Sequence, residues 1–260
     1  MESITRAVQR AKEATPEPML AERLAERFGL RGAAERAPAP PSEATHEAMV
    51  LDERTLRRNR IVAFDADAQL SRHYDLLRNQ MTQNIEKSGR LIVAVAGPTR
   101  NCGATVTAVN LAFSLARNRT QRVVLVDAND QNTSVRRYLG LPGEDVLRQA
   151  HLLSKELVIP VTAGGVPLRV LTYAAPEHDG ASALIGLARA LRDEPTAVVI
   201  DLPPLLTSDA AMSYIAVSTS IVVVLAAGET TPAEVESSRS LLARRDGVQY
   251  VLNKTGRHGL

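Results

Sequence analysis

The sequence predicts an α/β fold in which a mostly parallel β-sheet carries helices on both faces, preceded by a helical and partly disordered N-terminal tail. Three observations predict it. From Leu91 onward, apolar β-rich runs alternate with helically spaced runs, the pattern of a sheet covered on both sides. Polar motifs recur at the carboxyl ends of those runs, where ligands bind in such sheets. Ahead of them, Pro16, Pro18, Pro38, Pro40 and Pro41 stand among Ala and Glu, a composition with too little apolar surface to order itself. The expected division is a tail with short helices and a Pro/Ala-rich linker at 1–57, then one domain at 58–260.

Composition narrows the function classes. At 260 residues and 45% hydrophobic content, the chain can build a sizeable core. A net charge of +2, with arginines scattered rather than striped, gives no argument for a nucleic-acid partner. One cysteine excludes an internal disulfide and suits a reducing compartment, so a cytoplasmic protein is expected. Arg6, Arg10 and Lys12 interrupt the N-terminus, which leaves no signal-peptide core. The longest uncharged run, Ala210–Gly228, contains serines and a threonine and divides into a helix end and a β-branched strand, which reads as soluble core.

The elements follow in order. Ser3–Ala14 and Met19–Phe28 have amphipathic helical spacing and are expected to be short helices, with a docking role for a partner as one use. Arg72–Ile85 is a stronger helix, with Leu76, Leu77, Met81 and Ile85 assigned to one side. Strands are expected at Leu91–Ala96, Arg122–Asp127, Arg169–Tyr173, Ala197–Asp201, Ile221–Ala226 and Val248–Leu252. Helices are expected at Thr105–Arg117, Val135–Leu139, Ser182–Arg192, Ser208–Ile215 and Pro232–Arg245. The last begins with Thr231-Pro232-Ala233-Glu234, which supplies an N-cap, a first-turn proline and a capping-box glutamate.

Chemistry concentrates in Leu91–Phe113, where an apolar strand, a tight polar turn and a helix make the layout of a P-loop NTPase-like phosphate-binding loop. In the pattern G-x-x-x-x-G-K-[ST], Gly103 fills the second glycine and Thr105 the hydroxyl residue. Ala104 stands where the lysine belongs, and Pro98 where the first glycine belongs. Two apolar strands end in carboxylates, Asp127 and Asp201. The second continues into Pro203-Pro204 and Asp209, as a strand carrying a magnesium-organising aspartate does.

With GPTRNCGATVTAVNLA, the segments VVLVDAND, VVIDLPPLLTSDA, VVVLAAGETTPAEV and VLNK make the region from about residue 58 to 255 resemble the bacterial tyrosine autokinases of capsule and exopolysaccharide biosynthesis. These are relatives of the Min and Par positioning ATPases. The resemblance implies ATP or ADP with magnesium, and a transmembrane chain-length or export protein, or an intact kinase paralogue, as partner. It also implies homo-oligomer assembly through the Arg72–Ile85 helix. In that helix Tyr74, Leu77 and Arg78 fit the family pattern, whereas Arg72 and Asp75 invert its charges. Carried over by position, Asp127, Asp201 and Asp209 are the catalytic acids, and Thr105, Asp127 and Asp201 the magnesium set. Nucleotide and phosphate contacts fall on Arg100, Asn101, Cys102, Gly103, Ala104, Thr105, Val106 and Asn253, the last facing adenine.

Departures gather at the phosphate. Ala104 replaces lysine, Arg100-Asn101 replaces a turn usually written Pro-Gly, and Asn129 replaces a second aspartate. A full charge about 4 Å from a phosphate oxygen contributes roughly 4 kcal/mol at an effective dielectric near 20, before desolvation is counted. Losing it weakens nucleotide binding and removes a transition-state charge, while backbone amides and the helix dipole persist. The dispersed tyrosines Tyr74, Tyr138, Tyr173, Tyr214 and Tyr250 form no C-terminal cluster.

The function expected is therefore a degenerate, regulatory or scaffolding relative of these kinases at the inner face of the membrane. The alternatives are an active autokinase, with Arg100 or a neighbouring chain supplying the charge, and a Min/Par-like positioning ATPase. Cys102 sits near a helix N-terminus, where thiols gain reactivity, but also suits a tight turn as a small residue. The five histidines show no zinc-binding spacing.

Overall fold

A computed structural model describes residues 48–82, 91–118, 122–129, 135–142, 156–173 and 196–255. Backbone contacts divide the chain into units at Met1–Thr45 and His46–Leu260, and all described residues lie in the second. The expected helices at Ser3–Ala14, Met19–Phe28 and Ser182–Arg192, with Ile85, lie outside the described residues.

The described chain runs β1 (Met49–Val50), α1 (Glu53–Arg58), α2 (Ser71–Thr82), β2 (Leu91–Ala96), α3 (Ala104–Arg117), β3 (Arg122–Asp127) and α4 (Val135–Leu139). It continues with β4 (Glu156–Ala163), β5 (Val166–Tyr173), β6 (Thr196–Asp201), α5 (Ala210–Val217), β7 (Ser220–Ala226), α6 (Pro232–Leu241) and β8 (Val248–Asn253). The strands form one sheet in the order β1-β4-β5-β3-β6-β2-β7-β8. Every pairing is parallel except β4 with β5. The expected mostly parallel α/β fold is the fold found.

β1 and all but the last residue of α1 lie ahead of residue 58, yet Leu51 and Leu56 are buried in the domain core. Asp52 caps α1 by accepting from the Arg54 and Thr55 amides, which satisfies donors that a helix start leaves open. β2 and β6 are buried at every position, as a sheet covered on both faces demands.

Helix α3 is the central element of the core. Its Leu111, Phe113 and Leu115 are almost wholly buried, and each such side chain contributes about 1.5–3 kcal/mol. The polar Asn110 at its centre is fully buried and satisfied: its Oδ1 accepts from the Val62 and Ala63 amides, and its Nδ2 donates to the Arg60 and Val106 carbonyls. That side chain fastens the segment after α1 to α3. Phe64 on the same segment meets Phe113 edge to face at 6.1 Å.

Helix α2 also packs on α3, but with a narrower apolar face than its spacing suggested. Leu77 and Met81 are buried, whereas Leu76 is 64% exposed. Asp75, one of the inverted charges, explains the arrangement. Its carboxylate accepts from Arg117 and from the Ser114 hydroxyl of α3, and pairs with Arg78, which also donates to the Ser114 carbonyl. The helix is rotated to bring Asp75 to that cluster, which carries Leu76 outward.

One helix ends earlier than expected and one strand is additional, each for local reasons. Helix α6 has the full capping box, with Thr231 and Glu234 bonding each other's backbone amides, but it stops at Leu241 rather than Arg245. The Arg245 guanidinium instead donates to the Ile215 and Ser218 carbonyls at the end of α5. β4 was absent from the expected strands. It pairs antiparallel with β5 across a two-residue turn, Gly164-Gly165, with φ of +56° and +73°. Both positions require positive φ in this hairpin turn, and glycine supplies it without strain.

Candidate functional site

The site lies at the carboxyl ends of β2, β3, β6, β7 and β8. From β2 the chain turns at Gly97, where a β-carbon would stand 2.8 Å from the Cys102 β-carbon, so only glycine lets the loop fold this tightly. The loop closes at Gly103, the N-cap of α3, with φ +91°. Asn101 is also left-handed, at φ +64°. Gly103 brings no side-chain cap to the 14-residue helix, so the helix start keeps amide donors and a positive dipole end available for an anion.

Three neighbouring loops brace this one. From the segment after β6, the Leu205 and Leu206 amides donate to the carbonyls of Gly97 and Pro98, both at 3.0 Å. After β7, Thr230 Oγ1 lies 3.8 Å from Cys102 Sγ and accepts from the Ala226 amide, while Thr99 stands close enough to Glu234, at the start of α6, to help the Thr231 amide and hydroxyl lower its carboxyl pKa. From β8, Asn253 Nδ2 donates to the Cys102 carbonyl at 3.0 Å. The thiol itself is buried and donates to the Thr99 carbonyl at 3.2 Å, which is how a small residue fills a tight turn. Thr230 and Glu234 were not among the sequence-derived candidates. Their segment, ETTPAE, reads as a helix cap, and nothing in it shows that the cap abuts another loop.

Beneath the loop sit the acids. β3 and β6 are neighbours in register, which sets Asp127 directly beside Asp201. Both are buried, Asp201 completely. Thr105, in the first turn of α3, donates its hydroxyl to Asp201 Oδ2 at 2.8 Å. Among the described residues, Asp201 Oδ1 has no hydrogen-bond partner, and neither has the buried Oδ1 of Asn129 just beyond β3. Burial pushes the Asp201 carboxyl well above the ordinary carboxylate range; the charge of Asp127 adds to the rise, and the Thr105 hydrogen bond opposes it.

Such a set suits a hard cation. The unpartnered buried oxygen of Asp201, the Thr105 hydroxyl and a second carboxylate close by are the kind of oxygen ligands such an ion takes. Among the described residues no three His, Cys, Asp or Glu side chains gather as a metal-binding group. Magnesium asks for fewer, because it keeps several waters and is held by one or two carboxylates plus phosphate oxygens.

The remaining candidates are placed as follows. Ala104 and Val106 are half-buried and pack against the core below the loop. Arg100 and Asn101 are exposed at the turn. Asp209 is exposed at the N-cap position of α5 and makes no capping bond, apart from the buried group of Thr105, Asp127 and Asp201. Among the described residues no helix is long and apolar enough to cross a membrane.

The sequence matches no protein-family model and no curated protein. Solved structures do match. The kinase domain of Escherichia coli tyrosine kinase ETK superimposes with a TM-score of 0.59 at 20% identity, over 77% of this chain and 82% of that one. The chimerical protein CapA2B2 gives 0.62 at 19% identity, over 81% and 94%. The BceF tyrosine kinase domain gives 0.56 at 21%, over 78% and 90%. The chain thus has the fold of bacterial tyrosine-kinase domains.

Proposed function

We propose that this protein is a degenerate tyrosine-autokinase-like P-loop protein, acting as a regulatory or scaffolding component of capsule or exopolysaccharide biosynthesis and export. The observation that carries the reading is Ala104: a loop with its turn, helix start and braces in place has a methyl group where the lysine of an active enzyme would be. The pathway rests on the motif resemblance together with the kinase-domain fold. The expected partners are a transmembrane chain-length or export protein, or an intact kinase paralogue, which would hold the protein at the inner face of the membrane.

Thr105, Asp201 and Asp127 would hold magnesium, which when bound offsets the negative charge of nucleotide phosphates and of the buried acids. The chain's own residues do the rest. The α3 amides bind phosphate oxygens, Asp201 fixes the Thr105 hydroxyl, and Asn253 with the β7–α6 loop sets the loop's shape. Without the lysine, nucleotide is held weakly and no side chain of the loop follows charge onto the transferring phosphoryl group.

The second reading, an active ATP-dependent autokinase or ATPase, draws on the exposed Arg100 at the turn. Guanidinium and ammonium are not interchangeable in such a role, which weighs against it. The deciding experiment measures magnesium-dependent ATP and ADP binding, ATP turnover, and label transfer to protein tyrosine, for the native chain and for Ala104→Lys. We expect tighter nucleotide binding by the lysine variant, by about tenfold to a hundredfold after desolvation is discounted. Native turnover equal to that of Ala104→Lys, and lost in Arg100→Ala, would overturn the degenerate reading in favour of the active one.

A further inference from the structure

The two edges of the sheet are finished differently. β1 is two residues long, and brevity is one of the ways an edge avoids pairing with other chains. β8 at the opposite edge is six residues, VQYVLN, with no charge and no proline, and its register with β7 is unbroken from Val248 to Asn253. Two bonds fix which way its backbone points. Gly247 and Asn253 direct their carbonyls at the Ile221 and Ala227 amides on the β7 side. By alternation, Val248, Tyr250 and Leu252 turn their N–H and C=O groups toward the open edge. Tyr250 and Leu252 are also 39% and 58% exposed.

We propose that β8 is a self-association strand, pairing antiparallel with β8 of a second copy about a two-fold axis normal to the sheet and midway between the Tyr250 residues of the two copies. Such an axis keeps each face of the sheet on its own side, so only residues of equal parity can stand opposite each other. Centring on Tyr250 sets it against its counterpart and sets Val248 against the second copy's Leu252. All three outward-facing residues then exchange both of their backbone hydrogen bonds, and an apolar ladder forms on one face. Moving the centre along the strand gives up some of these bonds.

Charge agrees with the symmetry. Tyr250 shares its environment with Glu236 and Arg239 of α6, which pair with each other at 3.7 Å and remain 66% and 71% exposed. The two-fold axis lays the α6 helices of the two copies antiparallel, so that Glu236 of each meets Arg239 of the other. Lys254, the next charge beyond the strand, is already neutralised by Glu229 at 2.6 Å.

Sedimentation of the full 260-residue chain over a concentration series tests the proposal. The native protein is expected to dimerise. Tyr250→Pro removes an outward N–H but no bond to β7, and Leu252→Lys puts a charge at the edge; each is expected to weaken the dimer at least about tenfold with the melting temperature kept. Glu236→Arg should weaken it as well, and the swap Glu236→Arg with Arg239→Glu should restore it. Leu76→Lys on the exposed side of α2 should leave it intact. A native chain that stays monomeric at about 100 μM, or an assembly abolished by Leu76→Lys and indifferent to Tyr250→Pro, would overturn the proposal.

Discussion

Asn253 Nδ2 stands 2.0 Å from where a β-carbon on Gly103 would lie, while donating to the carbonyl of the preceding residue, Cys102. The last strand therefore reaches across β7 to hold the loop after β2, and Gly103 is needed for the space as well as for its φ of +91°. Gly103→Ala meets both obstacles. The left-handed conformation alone costs about 1–2 kcal/mol for a residue with a β-carbon. Asn253→Ala relieves the collision but not the backbone strain. In a double-mutant cycle followed by thermal melting, the two changes together are expected to destabilise less than the sum of the singles.

Asp201 gives the site a pH dependence whose sign is fixed. Burial raises its folded-state pKa above the ordinary carboxylate value, so its stabilising contribution is full below that ordinary value and is lost as pH rises through the folded-state pKa. In metal-free buffer, Asp201→Asn is expected to raise the melting temperature near neutral pH and to flatten its fall with pH. Asparagine still accepts from Thr105 and offers an N–H toward Asp127. Magnesium acts in the opposite sense, since it competes with the proton: its stabilising effect on the native protein should grow as pH rises and vanish in Asp201→Asn.

Much of this site was legible before the fold. Gly103, Thr105, Asp127 and Asp201 follow from motif spacing because each lies within one strand-and-turn unit. The contacts that make them a site are not local. That β3 lies beside β6, so the two acids share a register, is a fact of sheet order. The bracing by Leu205, Leu206 and Thr230 belongs to loops far apart in the chain. β4 was absent from the expected strands, although Gly164-Gly165 is a hairpin signal; Pro160 breaks its run of β-formers. The strand tolerates that proline where its outer neighbour β1 reaches only Val161 and Thr162. Leu76 was assigned inward on spacing alone, since spacing does not show that Asp75 has Ser114 and Arg117 as partners.

That cluster supplies a stability test. Asp75 is the acceptor for two arginines whose side chains are only 16% and 17% exposed, so Asp75→Ala leaves both largely buried and short of a counter-charge. A loss of about 2 kcal/mol is expected, discounted for the partial exposure of the carboxylate. Chemical denaturation measures it directly. Leu76→Ala, a neighbour with its side chain in solvent, serves as the control and is expected to change stability by less than about 0.5 kcal/mol.

The α6 capping box makes a milder claim. Thr231 accepts from the Glu234 amide, and Glu234 returns a bond to the Thr231 amide while its carboxylate stands near Thr99 in the loop. Thr231→Ala should lower the melting temperature by about 2–4 °C, and Glu234→Ala should in addition loosen the loop. Amide exchange at residues 97–103, compared between the two variants, separates the effects: only Glu234→Ala is expected to accelerate it.

The position of β2 within the sheet has a consequence for how the protein comes into being. β2 is the first of the long strands in the chain, yet its neighbours are β6 and β7, which emerge from the ribosome much later. Until those strands arrive, the phosphate loop has neither floor nor walls, and the two acids have not met. The site is thus the last part of the domain to be assembled and the first to be lost when either of those strands lets go. A nucleotide or cation that binds there acts as a fastener on the closed sheet, and its effect should be read more strongly in the rate of unfolding than in the rate of folding.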